Sequence, residues 1–244
     1  MRYGTPLIMK KMSSKIIKKR YKPSDIRAWS PRKVLGFTGE WEALAGNPEI
    51  SGSWLIWGRS FSGKTSFAVR LAKYIASLGG KVAYLSLEEG LSLSLKRAFE
   101  RENMESVNNK VELWQCVGLD EIEKLLARQR SADVVIIDSV QYLGINYAGY
   151  KKLRQAFPKK LFIFISHANE QKEPAGATAV KIRYDASVKI LVDGFVATAF
   201  SRYGGGKAMT IWEEGAKLNV TKKGEYDERE EATGEEYSEY IEEI

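Results

Sequence analysis

The stretch Trp54-Leu-Ile-Trp-Gly-Arg-Ser-Phe-Ser-Gly-Lys-Thr-Ser66 constrains the fold more than any other part of the chain. It joins an apolar run to a helical pattern through a loop of the form G-x-x-x-x-G-K-T, from Gly58 through Arg59, Ser60, Phe61, Ser62 and Gly63 to Lys64, Thr65 and Ser66. In such a loop backbone N–H groups wrap a β-phosphate, the lysine reaches the β- and γ-phosphates, and the threonine hydroxyl takes a place on Mg²⁺. Glycine is required because side chains would block that close approach. The flanks agree with this reading. Ser53–Trp57 reads as a short buried strand, and Phe67, Ala68, Leu71, Ala72, Ile75 and Leu78 mark one face of the following helix, whose N-terminus faces the phosphates. A chance Gly/Ser-rich turn would lack that setting.

At 244 residues the chain is long enough for one substantial domain with appendages, without disulfides or a structural metal. Its single cysteine, Cys116, excludes a disulfide framework and suits a reducing compartment. No apolar run approaches a membrane span, and the basic N-terminus lacks the apolar core of a signal peptide. A soluble, cytoplasmic protein without a membrane partner is expected. Charge divides the chain into three parts. Residues 1–33 carry eleven Lys/Arg against the single Asp25, whereas residues 225–244 carry ten Asp/Glu against Arg229. The expected organisation is a basic arm over 1–33, a nucleotide-binding domain over 34–224 and an acidic tail over 225–244. The arm suits nucleic acid or a neighbouring subunit, or is a solvated tail. The acidic tail is expected to be disordered and to compete with nucleic acid for the basic middle of the chain.

Along the domain, Gly39–Ala45 reads as a short helix and Lys81–Leu87 as a second buried strand. Glu88-Glu89-Gly90 stands at that strand's carboxyl end, the edge where ligand chemistry lies in an open parallel sheet, and a carboxylate there can deprotonate an attacking water. A helix over Leu91–Glu102, a short strand at Val111–Trp114 and a helix over Asp120–Arg130 follow. Asp133–Ser139 is an apolar run closed by Asp138, which would hold Mg²⁺ through its water shell and share it with Thr65. Residues 141–149 read as a glycine-bearing loop, Tyr150–Phe157 as a basic helix and Leu161–Ile165 as another buried strand. His167, the only histidine, falls just past that strand and is read as a γ-phosphate sensor or as a structural residue. Residues 168–180, small and polar, read as a mobile loop. Val188–Val192, Phe195–Phe200 and Ala208–Trp212 read as late strands with turns at Asp193-Gly194 and Tyr203–Gly206.

These elements, over residues 34–213, resemble the RecA-like ATPases, and among them the RadA/Sms group. Its strand-Gly-Glu-Glu-Ser element is similar to Leu85–Gly90, its Ile-Asp-Ser-Ile-Gln element to Ile137–Gln141, and its strand-Gly-His element to Ile165-Ser-His167. The resemblance implies an α/β RecA-like P-loop fold, a twisted, mostly parallel sheet flanked by helices with antiparallel strands at the C-terminal end. It also implies ATP and Mg²⁺ as ligands, hydrolysis at the interfaces of a homo-oligomeric ring or filament, and single-stranded DNA as partner in recombination, repair or replication. By the same resemblance Glu88 is the water-activating glutamate with Glu89 in reserve, His167 links the γ-phosphate to DNA, and residues 141–149 and 168–179 face DNA. The family's Lys-Asn-Arg-Phe-Gly element is Phe200-Ser-Arg-Tyr-Gly204 here, so its lysine position holds Phe200. Arg202 is then the expected trans-acting cation, with Lys207 as its substitute. No four-cysteine zinc module or protease-like domain accompanies the core, which suggests a minimal motor of the kind expected in phages and mobile elements. Tyr142, Tyr147 and Tyr150 are candidates for stacking on bases or are ordinary surface residues. An ATP switch acting on protein partners is the alternative, and a small-molecule phosphotransferase a third reading.

Overall fold

A computed structural model describes residues 20–28, 33–115 and 118–218. The chain divides into two compact units, 1–31 and 32–244. In the first, helix α1 (Pro23–Ala28) starts with the fixed φ of proline and caps its entry through the Asp25 carboxylate, which accepts the Lys22 amide at 2.7 Å. None of its residues is buried.

The second unit runs, in order, α2 (Gly39–Ala45), β1 (Gly52–Gly58), α3 (Lys64–Ser77), β2 (Val82–Ser86), α4 (Leu93–Arg101), β3 (Val111–Leu113), α5 (Leu119–Leu126), β4 (Val134–Asp138), α6 (Val140–Leu143), α7 (Tyr147–Ala156), β5 (Leu161–His167), α8 (Ala177–Asp185), β6 (Val188–Asp193), β7 (Val196–Ser201) and β8 (Met209–Thr210). The strands form a single sheet in the order β3-β2-β4-β5-β1-β6-β7-β8. All pairings from β3 across to β6 are parallel, and β7 runs antiparallel to both β6 and β8. This is the expected α/β architecture with antiparallel strands at the C-terminal end.

Each sheet face is covered by helices, which explains why the central strands read as unbroken apolar runs. The period-two alternation of β1 sends Trp54 and Ile56 into the core under α3, with Phe67, Leu71 and Ile75. Leu55 and Trp57 enter the opposite core, with Leu153 of α7 and Ile182 of α8. Parallel pairing then aligns the carboxyl ends of the strands. Gly58 lies opposite His167 in register, and Ser86 opposite Asp138.

The structure revises the sequence reading between β4 and β6. Residues 141–149 are mostly helical, because Gly144 (φ 65°) ends α6 and the Asn146 side chain accepts the Gly149 amide at 2.9 Å to start α7. Tyr150 therefore lies in α7, fully buried, its hydroxyl 2.8 Å from Ser53 Oγ. That removes it from the candidates for base stacking. Residues 168–176 form a hydrogen-bonded turn instead of a free loop, closed by Asn169 N to Glu173 O at 2.8 Å and by an Ala168–Pro174 bridge. The helix α8 begins at Ala177, inside the segment read as loop, because its small residues let it pack closely on the sheet: Ala179 is buried. The acidic tail and most of the basic arm lie outside the described residues.

Candidate functional site

The phosphate loop is shaped by contacts that only glycine permits. A Cβ at Gly58 would fall 2.1 Å from the Val192 carbonyl oxygen, and Gly63 adopts φ 99° with the Phe195 ring 2.9 Å from where its Cβ would be. The Phe195 amide donates to Ser62 O at 3.0 Å, so the turn after β6 braces the loop. Phe61 has φ 60° and is 96% exposed. Lys64 opens α3 and folds back, donating to the Arg59 carbonyl at 2.7 Å. Its ammonium is held below the usual lysine range, chiefly by burial, against the pull of Asp138 and Glu88.

Asp138 closes β4 and is only 7% exposed. Its Oδ2 accepts the Tyr84 hydroxyl at 2.8 Å and faces Thr65 Oγ1 at 3.4 Å. Burial pushes its carboxyl up to about 6, with Glu88 adding to the rise and Tyr84 and Lys64 opposing it. Two oxygens, one from a hydroxyl and one from a carboxylate, fit the partial protein shell of Mg²⁺, which takes its remaining ligands from phosphate and water. Among the described residues no group of three or more His, Cys, Asp or Glu forms a metal cage of its own.

Glu88 and Glu89 part company at the end of β2. The Asp138 carbonyl accepts the Leu87 and Glu88 amides at 2.6 and 3.2 Å, which fixes the Glu88 backbone beside the metal-binding residues. Glu88 Oε2 then meets His167 Nε2 at 3.2 Å across the cleft. Glu89 instead accepts the hydroxyls of Ser92, at 2.9 Å, and Ser94, at the N-terminus of α4. The cleft, about 390 Å³, is lined by the phosphate-loop residues Ser60, Phe61 and Gly63 to Ser66, together with Glu88, Glu89, Asp138 and His167. Gly58, Arg59 and Ser62 of the loop are not in that lining, and Arg59 turns its guanidinium to the Glu170 carbonyl at 2.8 Å.

Arg202 lies elsewhere. Its amide donates to Ser187 O at 3.0 Å, next to the first residue of β6, so it stands at the sheet edge opposite the cleft, roughly 20 Å away along a six-residue strand. It is exposed, as is Lys207. From that edge Arg202 cannot reach the phosphates of its own subunit.

Three residues of the site were not singled out from sequence. Tyr84 sits in an otherwise small and aliphatic strand, where a buried phenol needs a polar partner, and that need was the available signal. Gln141 donates to Ser166 Oγ at 2.7 Å and to the Ala175 carbonyl at 2.9 Å, tying the end of β5 to the turn that follows it. Phe195 gave no local signal.

Neutralising the buried carboxylate tests this electrostatic picture. Below pH about 4 the Asp138 carboxyl is protonated in folded and unfolded chains alike and costs nothing. As pH rises through 3.8 and on to about 6 the unfolded chain ionises first, so stability falls, by about 3 kcal/mol once both are ionised. Asp138→Asn is therefore expected to raise the denaturation midpoint of the nucleotide-free protein at pH 7.5, with the gap closing towards pH 4. Equal midpoints at pH 7.5 would show that Asp138 is not strained by burial.

No known family model and no curated protein sequence matches the chain. Solved structures do. The crystal structure of the flagellar accessory protein FlaH from Methanocaldococcus jannaschii is similar over 72% of this chain and 92% of its own, at 16% identity and a TM-score of 0.53. A second solved structure, an ATPase domain, is similar over 72% of this chain and 87% of its own, at 13% identity and a TM-score of 0.50. With the phosphate loop at the carboxyl edge of a mostly parallel sheet, these likenesses define a RecA-like P-loop fold. No helix among the described residues is long and apolar enough to cross a membrane.

Proposed function

We propose that the chain is a Mg²⁺-dependent ATPase of RecA/RadA type that hydrolyses ATP between neighbouring subunits and is stimulated by single-stranded DNA. The observation that carries this reading is the meeting of Lys64, Thr65, Asp138, Glu88 and His167 at one sheet edge while Arg202 stands at the other. In the proposed cycle Lys64 leaves the Arg59 carbonyl for the β- and γ-phosphates. Thr65 and Asp138 are the residues that would hold Mg²⁺, which when bound would supply charge neutralisation at the phosphates. Glu88 turns from His167 and accepts a proton from the attacking water. His167, released from that pair, is free to follow the γ-phosphate. Arg202 serves the neighbouring subunit's cleft.

DNA is assigned to the side of α7 and α8. There Lys151 and Lys181 lie 5.0 and 5.4 Å from the Tyr147 ring centroid, and Tyr142 is 58% exposed. Recombination, repair or replication is the process that the RadA/Sms resemblance favours. A second reading, an ATP switch on protein partners, is favoured by the FlaH likeness, since that protein is named a flagellar accessory protein. ATP turnover measured with and without single-stranded oligonucleotide separates the two. The expected result is stimulation by DNA that weakens steeply with salt, and a loss of about a hundredfold or more in Glu88→Gln, the scale for a positioned base. Turnover indifferent to DNA at low salt would favour the switch.

A further inference from the structure

The amino-terminal edge of the sheet carries a second polar cleft, of about 190 Å³, that the nucleotide site does not use. Lys81 precedes β2, Lys110 precedes β3, and Arg128 and Arg130 lie in the turn between α5 and β4, so the topology gathers four cations around one opening. All four are exposed, and none takes part in a salt bridge within the described residues. Two acids stand among them, Glu112 in the lining and Asp133 beside Lys81, which leaves the four cations in excess. Glu112 accepts Trp114 Nε1 at 2.9 Å, and Asp133 accepts the Lys81 amide at 3.0 Å. Lys81 Nζ donates to the Arg130 carbonyl at 3.2 Å, which holds the cluster together without neutralising it. A cluster of unpaired like charges creates a field that attracts a polyanion.

The sequence supplies one. Residues 225–244 carry ten Asp/Glu against Arg229 and are attached to the same domain. A domain of about 200 residues has a radius of gyration of roughly 17 Å, or some 45 Å across. An extended chain spans about 3.3 Å per residue, so a segment leaving Leu218 covers roughly 85 Å by residue 244 and reaches every face. Tethering also sets its local concentration in the millimolar range, high enough for a modest electrostatic contact to persist.

We propose that the cleft bounded by Lys81, Lys110, Arg128 and Arg130 docks the acidic segment 225–244 of its own chain through salt-sensitive contacts. The proposal does not depend on the ATPase reading. Zero-length carbodiimide cross-linking of the full chain at low salt, mapped by peptide mass, tests it directly. Lys81 and Lys110 are expected to join carboxylates of 225–244 within a single chain. Arg128→Glu/Arg130→Glu, which keeps both lysines but reverses two neighbouring charges on the surface, is expected to lower that yield about tenfold or more. Cross-links to lysines of residues 1–33 or of α7 instead, cross-links only between chains, or no cross-links at all would overturn it. Retention on heparin gives the second measurement. Deleting 225–244 is expected to strengthen retention strongly in the native background and only weakly in Arg128→Glu/Arg130→Glu. An equal gain in both would mean that the segment acts through net charge alone, and the docking would be overturned.

Discussion

Lys64→Ala is expected to abolish measurable ATP turnover, by about a thousandfold or more, the upper range for removing one stabiliser of transition-state charge. The reason lies in the charge balance of the cleft. Among its lining residues Lys64 is the only ammonium or guanidinium, against Glu88, Glu89 and Asp138. Without it a polyphosphate would enter a pocket of three carboxylates and one histidine, so nucleotide binding is expected to weaken as well. Folding should survive. Lys64 is desolvated and its side-chain hydrogen bond goes to a loop carbonyl, so its removal relieves burial of charge without opening the core. Turnover and nucleotide titration, read beside a thermal melt, check the three statements separately. Turnover near that of the native protein, in a variant that melts normally, would place the chemistry outside this loop.

What the sequence disclosed follows a physical line. The four central strands β2, β4, β5 and β1 were legible because burial on both faces leaves no polar interruption, and each delivers a site residue at the same edge. Gly58, Gly63, Lys64 and Thr65 were legible because the loop's chemistry fixes residue type at fixed spacing. Asp138 and Glu88 followed from strand ends. The sequence could not rank Glu88 above Glu89, since adjacent residues differ only in which way the chain turns. The Ser92 and Ser94 hydroxyls that engage Glu89 make that difference. Tyr84 was missed because its partner is 54 residues away, a contact made by strand pairing alone. Tyr150, read as the first residue of a basic helix, was misjudged as a stacking or surface candidate because the Asn146 cap starts α7 at Tyr147 and turns Tyr150 inward with Leu153. The 168–176 turn was misread for a related reason. Its anchors, Trp57 Nε1 to the Lys172 carbonyl at 2.8 Å and Lys172 to Asp193 at 2.9 Å, come from distant strands.

Arg202→Ala is expected to lose turnover by about a thousandfold, the lower range for a trans-acting arginine, while ATP binding survives. Phosphoryl transfer gathers charge on the transferring oxygens, and among the residues lining the cleft Lys64 alone offers an ammonium or guanidinium to meet it. Arg202 is exposed at the opposite sheet edge, beyond reach of its own Lys64 but placed to meet another copy's cleft if subunits stack head to tail. Phe200, beside it on β7, is 63% exposed and gives that edge an apolar contact to offer a neighbour. Hydrolysis per subunit should then rise with protein concentration. Mixing provides the sharper measurement. A Lys64→Ala subunit retains its arginine, and an Arg202→Ala subunit retains its phosphate loop, so one working interface can form from two inactive proteins. Activity regained on mixing, in proportion to mixed contacts, is the expected result. A rate strictly proportional to enzyme from dilute to concentrated solution, with no recovery on mixing, would leave the active form a monomer and Arg202 a surface residue.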